Sequence, residues 1–454
     1  MPGILATLGP AFVWAAVAQG SGELIWWPYF AAKYGAAFLG LLLPAALIQF
    51  FVNREISRFT ALTGNGIWQG FSKLSKWFTL PLFLLCFVNF LWLGGYASAG
   101  GTALFELTKF PTLVSSKFGS LFWTYILIFG FSLVFIFSKI IYRFIENFMK
   151  IVAAVTIAGL IFSVFHPQVL AAIPHFLSKL FNPLSVMFPK NWDTGDNSRL
   201  VTAIAFAGMG GFLNLLYSYW MKDKGVGMAK YTTKVSGFLT KQKETPNQNW
   251  LKFSDNLKNQ RRWRSWLAYL NTDAFVAVLI NAFTAALTTL LAFAILNPLG
   301  VYPKGWKITV VQAEFFRLSF GSFGALLFLL VAACFMSDTW LALVDGVSRQ
   351  FADFFTANTR KKTFRFWYYS SLVFLILVTL ITIPFAEPAL LLTITGVISI
   401  FAFVFYIPAL FYLNYIKIPK VYPKFVKPKR WEAIALFLTW LFYFTIALIY
   451  LLTL

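Results

Sequence analysis

The sequence predicts an all-α integral membrane protein of about eleven transmembrane helices, built as two inverted five-span repeats plus one extra helix. Three observations carry that prediction. Hydrophobic residues make up 59% of the 454 and charged residues only 12%, about half the charged share of a soluble domain. Eleven stretches are long and apolar enough to cross a bilayer, which takes about 20 residues. And a glycine-rich polar interruption occurs twice at mid-depth, in the first and the sixth stretch. The composition excludes disordered, fibrous and soluble enzyme classes before any motif is considered.

The spans read approximately 5–33, 36–56, 77–105, 119–138, 145–165, 199–220, 269–296, 322–346, 365–385, 387–415 and 432–454. The first is too long for a cleavable signal peptide. The linkers leave no room for a soluble domain, so the chain reads as one membrane domain: repeat one about 5–165, repeat two about 199–415, and the extra helix 432–454. With the N-terminus in the cytoplasm, the inner loops 54–76, 139–150, 221–265, 345–365 and 416–430 hold 29 of the 38 Lys and Arg. That asymmetry obeys the positive-inside rule and places the C-terminus outside. It also accounts for the net charge of +22 without a nucleic-acid partner. Basic residues on one side suit anionic lipid headgroups. Segment 241–266, with Lys241, Lys243, Lys252, Lys258, Arg261, Arg262, Arg264 and Trp250, Trp263, Trp266, reads as an interfacial element. In the absence of an organelle signal, the expected location is a prokaryotic cytoplasmic membrane.

The two cysteines, Cys86 and Cys334, lie in apolar runs and suggest neither a disulfide nor a metal cluster. The two histidines, His166 and His175, share one connecting segment and read as solvated loop residues. A histidine-based zinc or catalytic site has nothing to be built from, clustered carboxylates are absent, and the chain is not expected to be an enzyme.

The first interruption reads Gln19-Gly20-Ser21-Gly22-Glu23, and the second reads Gly208-Met209-Gly210-Gly211 followed by Asn214. Gly20 and Gly22 align with Gly208 and Gly210. Each glycine costs a helix about 0.5–1 kcal/mol relative to Ala, so several together favour an unwound segment. Alone, such a cluster equally serves close helix packing. Two clusters five spans apart lie on antiparallel helices, the layout of inverted repeats with a binding site between them. Glu23 adds a carboxylate near mid-membrane, a functional-site candidate by its cost alone. Among the other polar residues at depth, Asn89 and Asp338 are possible pathway residues. Asn89 equally suits an interhelical hydrogen bond, and Asp338 a pairing with a nearby Arg. Asp273 lies close to the start of its span and reads as interfacial, and Asn281, like Asn89, equally suits a site or an interhelical bond.

These residues resemble the Nramp (natural resistance-associated macrophage protein) family of divalent metal transporters. Gly9-Pro10-Ala11 before a broken helix resembles its opening, and Gln49 to Gly64, with Arg58 and Ala61-Leu62-Thr63-Gly64, the end of its second helix. The resemblance implies a LeuT-type fold and divalent metal transport by alternating access. The family's first-helix motif, Asp-Pro-Gly-Asn, is replaced by Gly20, Ser21, Gly22 and Glu23; its sixth-helix Met-Pro-His keeps Met209 but has Gly210 and Gly211. Residues 77–105 contain no Asp, Glu or His, so the family's acidic route on the third helix is not apparent, which puts proton coupling in doubt.

The expected site combines Gln19, Gly20 and Glu23 with Gly208, Met209 and Asn214. Glu23 supplies charge, Gln19, Asn214 and unwound carbonyls supply neutral oxygens, and Met209 a soft secondary ligand. Oxygen ligands favour Mn²⁺- or Mg²⁺-like cargo. No resident cofactor is expected. The same fold also admits an amino acid or other small organic solute, and the aromatics Trp14, Trp26, Trp27, Tyr219 and Trp220 are compatible with one.

Overall fold

The computed structural model describes residues 9–137, 141–232, 235, 238, 250–359 and 362–453. Among them, nine helices are long and apolar enough to cross a membrane: 39–63, 76–108, 116–137, 143–164, 257–299, 320–359, 364–382, 388–421 and 430–452. They coincide with nine of the eleven expected spans. The other two, spans one and six, are the interrupted ones. The side on which span one begins is the near face below, and the opposite side the far face.

Span one starts as α1 (Gly9–Ala18), where Pro10 in the first turn lacks only an amide that the helix would leave unpaired. It does not unwind at the glycines. Gln19–Trp26 forms a π-helical turn, and α2 (Trp27–Tyr34) follows, with Pro28 in its first turn. The interruption is thus a widened helix instead of open coil, a form that concentrates at functional sites. Two long-range bonds hold it: Thr288 donates to the Glu23 carbonyl (2.7 Å) and Gln312 to the Leu24 carbonyl (2.7 Å).

Span two contributes α3 (Gln49–Thr63), which is buried at Gln49, Asn53, Arg54, Glu55 and Arg58. Arg54 and Arg58, counted above in a basic loop, lie inside the bundle. Glu55 and Glu432 balance them, with Arg58 Nη2 2.9 Å from Glu432. The later elements that position the site are α4 (Gly94–Thr108) in span three and α5 (Ile141–Val164) in span five.

Span six is broken outright. Between α6 (Asn197–Ala205) and α7 (Leu216–Lys224) the chain turns through Gly210 at φ 86° and Gly211 at φ 49°. L side chains avoid that region, so glycine is required there. A Cβ on Gly211 would also fall 2.5 Å from Ser399 Cα. Broken backbone at this depth must be satisfied from within the protein. Three side-chain amides do so: Gln49 donates to the Ala205 carbonyl (3.0 Å), Asn281 to Ala207 (2.5 Å) and Gln350 to Phe212 (3.0 Å).

Span seven lies in α8 (Leu257–Leu291), span eight in α9 (Glu314–Thr359), which bends at Gly321, span ten in α10 (Pro388–Phe411) and span eleven in α11 (Arg430–Leu452). Residues 241–249 of the basic segment, with Lys241 and Lys243, lie outside the described residues. Its remainder opens α8, where Lys258, Arg261, Arg262 and Arg264 are exposed and Trp263 is buried. Arg349, also counted in a loop, is buried on α9, pairing with Asp345 at 2.8 Å and with Asp223 of α7. His166 caps a surface helix, Pro167–Leu180, that carries His175.

Candidate functional site

The π turn of span one carries Gln19 and Glu23 on one side, facing α5, α8 and α9. A small cavity there is lined by Gln19, Glu23, Leu24, Thr156, Leu160, Thr284, Thr288 and Phe335. It has room for roughly one water or one small ion. Glu23 is 1% exposed and Gln19 5%. Thr284 Oγ1 donates to Glu23 Oε2. Glu23 Oε1 and both amide atoms of Gln19 have no hydrogen-bond partner among the described residues.

This is an unusual electrostatic arrangement. The lining contains one carboxylate and no cationic side chain. A buried carboxylate without a counter-charge is strongly disfavoured, so such a site takes up a cation or a proton. Two acceptor oxygens, Glu23 Oε1 and Gln19 Oε1, are left free for one. Thr156 and Thr284 hydroxyls keep lone pairs after donating, Thr156 to the Val152 carbonyl at 3.0 Å. Gly20 makes the approach possible from the other side: a Cβ there would lie 2.0 Å from Thr339 Oγ1, so span one rests directly against α9.

The structure groups the sequence-predicted residues differently from expectation. Gln19 and Glu23 share the cavity, with Gly20 beside it. Gly208, Met209 and Asn214 do not line it. Asn214 Nδ2 donates instead to Gln49 Oε1 (3.1 Å) and Asn53 Oδ1 (3.2 Å), and Gly208 packs on Gln49 and Trp14. The carbonyls that flank the Gly208–Gly211 turn, those of Ala205, Ala207 and Phe212, are engaged by Gln49, Asn281 and Gln350. Asn281 thereby makes an interhelical bond. Met209 is fully buried.

Asp338 is buried on α9 without an ion pair among the described residues; its Oδ2 has no partner. Asn89 is buried where the helix Lys76–Asn89 gives way to a 3₁₀ turn, with neither amide atom bonded among the described residues. Asp273, expected at the interface, is completely buried and accepts from Tyr217 and from Tyr269 (3.4 Å). Sequence reading missed Thr156, Thr284 and Thr288. The signal was present on α8, where Asp273, Asn281, Thr284 and Thr288 recur at helical spacing along one face. No group of three or more His, Cys, Asp or Glu suited to a metal occurs among the described residues.

The chain matches no protein-family model and no curated protein sequence. Its fold does match solved structures. A manganese transporter of Eremococcus coleocola, in complex with an aromatic bis-isothiourea substituted compound, superposes with a TM-score of 0.62 at 13% identity, covering 98% of this chain and 86% of its own. MhsT in complex with L-phenylalanine gives 0.56 at 15% identity, over 98% of each chain. Mhp1, a nucleobase-cation-symport-1 family transporter with bromovinylhydantoin bound, gives 0.54 at 12% identity, over 98% and 90%. At these identities the likeness concerns architecture: the chain is an integral, multi-pass membrane protein with the LeuT-type fold.

Proposed function

We propose that the protein is a secondary transporter of divalent metal cations, Mn²⁺- or Mg²⁺-like, working by alternating access with its near face in the cytoplasm. One observation carries the proposal: Glu23 is buried at a small cavity with one oxygen unpartnered among the described residues, beside an unpartnered Gln19 and no cationic side chain in the lining. Glu23 supplies the charge that attracts the ion. Gln19, Thr156 and Thr284 supply neutral oxygens, the ligand type that hard divalent cations prefer. The likeness to a manganese transporter agrees with this reading. Proton coupling is not part of it.

The alternative cargo is an amino acid or other small organic solute, favoured by the likeness to MhsT and Mhp1. Uptake of Mn²⁺, Mg²⁺ and Ca²⁺ into proteoliposomes tests the proposal. Glu23→Gln is expected to lower uptake at least tenfold; uptake equal to wild type would remove Glu23 from the site. A thermal-shift screen of metals against amino acids separates the two cargo classes.

A further inference from the structure

On the near face, cations that meet usually share a carboxylate. Arg54 and Arg58 share Glu432, Arg349 has Asp223 and Asp345, and Lys150 and Lys224 share Glu146. Lys73, Lys252 and Lys417 also meet, yet none of them pairs with a carboxylate among the described residues. They come from three parts of the chain that the fold fixes together. Lys73 follows the short helix Ile67–Phe71 after span two, Lys252 lies in the segment that leads into α8, and Lys417 is in the last turns of span ten. The Leu251 amide donates to the Thr63 carbonyl of α3 (3.0 Å), and the Tyr422 hydroxyl donates to the Leu251 carbonyl (2.7 Å), so this segment is seated between spans two and ten. The Lys417 ammonium donates to the Lys73 carbonyl. The Lys73 ammonium lies over the buried Trp250 ring, 4.4 Å from its centre. Burial, then the ammonium groups of Lys417 and Lys252, pull Lys73 below the usual lysine value, so both neighbours are close enough to repel it.

We propose that Lys73, Lys252 and Lys417 form a binding site for the phosphate of an anionic phospholipid headgroup in the near leaflet. Like charges held together cost free energy that an anion between them removes. The position along the spans suits a headgroup. Trp and Tyr collect where a membrane meets water. Here Trp250 stacks with Tyr422, with ring centres 6.5 Å apart, and Trp77, in the first turn of span three, is 92% exposed. Lys73 and Lys252 are themselves exposed, so a headgroup can reach them. Basic pockets between spans attract anionic headgroups at this level. A zwitterionic headgroup brings its own cation, which the same three lysines repel. The bound phosphate ties the ends of spans two and ten to the entry of span seven.

The test follows thermal unfolding of the full chain in detergent against added dioctanoyl phosphatidylglycerol, with dioctanoyl phosphatidylcholine and inorganic phosphate as controls. The anionic lipid should raise the midpoint saturably. Lys73→Gln with Lys252→Gln and Lys417→Gln should weaken its apparent Kd about tenfold or more. Lys252→Gln alone, which leaves the bond between Lys417 and Lys73 intact, should weaken it about threefold and guards against a folding defect in the triple variant. Replacing all three by Arg keeps the charge and should keep the binding. Lys258→Gln with Arg261→Gln and Arg262→Gln removes equal charge from the exposed start of α8 and should leave the Kd unchanged. Equal weakening by both glutamine triples would overturn the proposal, because it would mean diffuse surface charge. So would equal affinity for the choline lipid, the lack of any midpoint shift, or equal affinity for inorganic phosphate, which would mean a site for free anions. Metal uptake enters none of these readouts, so they stand or fall apart from the proposed function.

Discussion

Thr284→Val is the sharpest perturbation of the cavity. The substitution replaces a hydroxyl by a methyl of similar size, so α8 keeps its packing and loses one donor. In the intact protein that donor meets Glu23 Oε2, while Glu23 Oε1 has no partner. Without it the carboxylate has no hydrogen bond from a side chain at all. A hydrogen bond to a charged group contributes about 1.5–3 kcal/mol. The bound state of the site is the one with Glu23 ionised, so the loss falls on cation binding. At about 1.4 kcal/mol per factor of ten, KM for Mn²⁺ should rise roughly 10- to 100-fold. The maximal rate should change little, because Thr288 and Gln312 still hold the backbone of the π turn. Thr284→Ser restores the donor and should restore KM. The assay is initial-rate uptake into proteoliposomes over a range of Mn²⁺, with size-exclusion profiles confirming equal folding. A KM within twofold of wild type would refute the claim that this hydroxyl supports the ion-binding carboxylate.

Two further outcomes follow from charged groups away from the cavity. Glu432→Gln would leave Glu55 as the single anion for the buried Arg54 and Arg58, and breaking a buried pair costs about 3–5 kcal/mol; thermal unfolding in detergent should fall markedly, and an unchanged midpoint would deny the network its structural role. Asp196 behaves oppositely to a lone buried acid: burial pushes its carboxyl up, but hydrogen bonds from Lys33, Tyr34, Tyr29 and Arg199 hold it below the usual aspartate value. A depressed folded pKa stabilises above the unfolded value, about 3.9, and is lost as pH falls through the folded one. Stability measured from pH 7 to pH 2.5 should therefore show a decline below about pH 4 that Asp196→Asn removes.

Much of the architecture was legible because hydrocarbon imposes simple rules. Long apolar runs give the spans. Paired glycine clusters five spans apart give the two interruptions. The form of the interruptions was not legible. In span one, Pro28 restarts an α-helix immediately, and Thr288 and Gln312 from distant spans hold the widened turn. In span six, nothing local indicates that Gln49, Asn281 and Gln350 occupy the carbonyls. Asp273 looked interfacial because the apolar run begins just before it. Yet α8 starts at Leu257, so Asp273 lies about 24 Å along a helix whose first turns are polar. Arg54, Arg58 and Arg349 were counted as loop charges because Glu432 and Asp223, which complete their pairing, are brought to them only by the fold.

The make-up of the cavity bears on which metals it takes. The resemblance to Nramp transporters led to an expectation of a thioether ligand at Met209, aligned with a family motif. The residues that line the cavity offer oxygen alone: a carboxylate, an amide and three hydroxyls, from Gln19, Glu23, Thr156, Thr284 and Thr288. No sulfur or imidazole joins them. Soft ligands select soft transition metals, while carboxylate, carbonyl and hydroxyl oxygens suit Mg²⁺, Ca²⁺ and Mn²⁺. Met209→Leu keeps the apolar volume and removes the sulfur. If the cavity is the transport site, this variant should keep the wild-type KM for Mn²⁺, because Met209 does not line the cavity and a core tolerates a volume-conserving swap. Cd²⁺, the softest common competitor, should inhibit Mn²⁺ uptake no better than Mg²⁺ does, in wild type and variant alike. Selective loss of Cd²⁺ inhibition in Met209→Leu would show that sulfur does reach the ion. The site would then lie between spans one and six, as the sequence motif implies, and the Glu23 cavity would have to be a separate station.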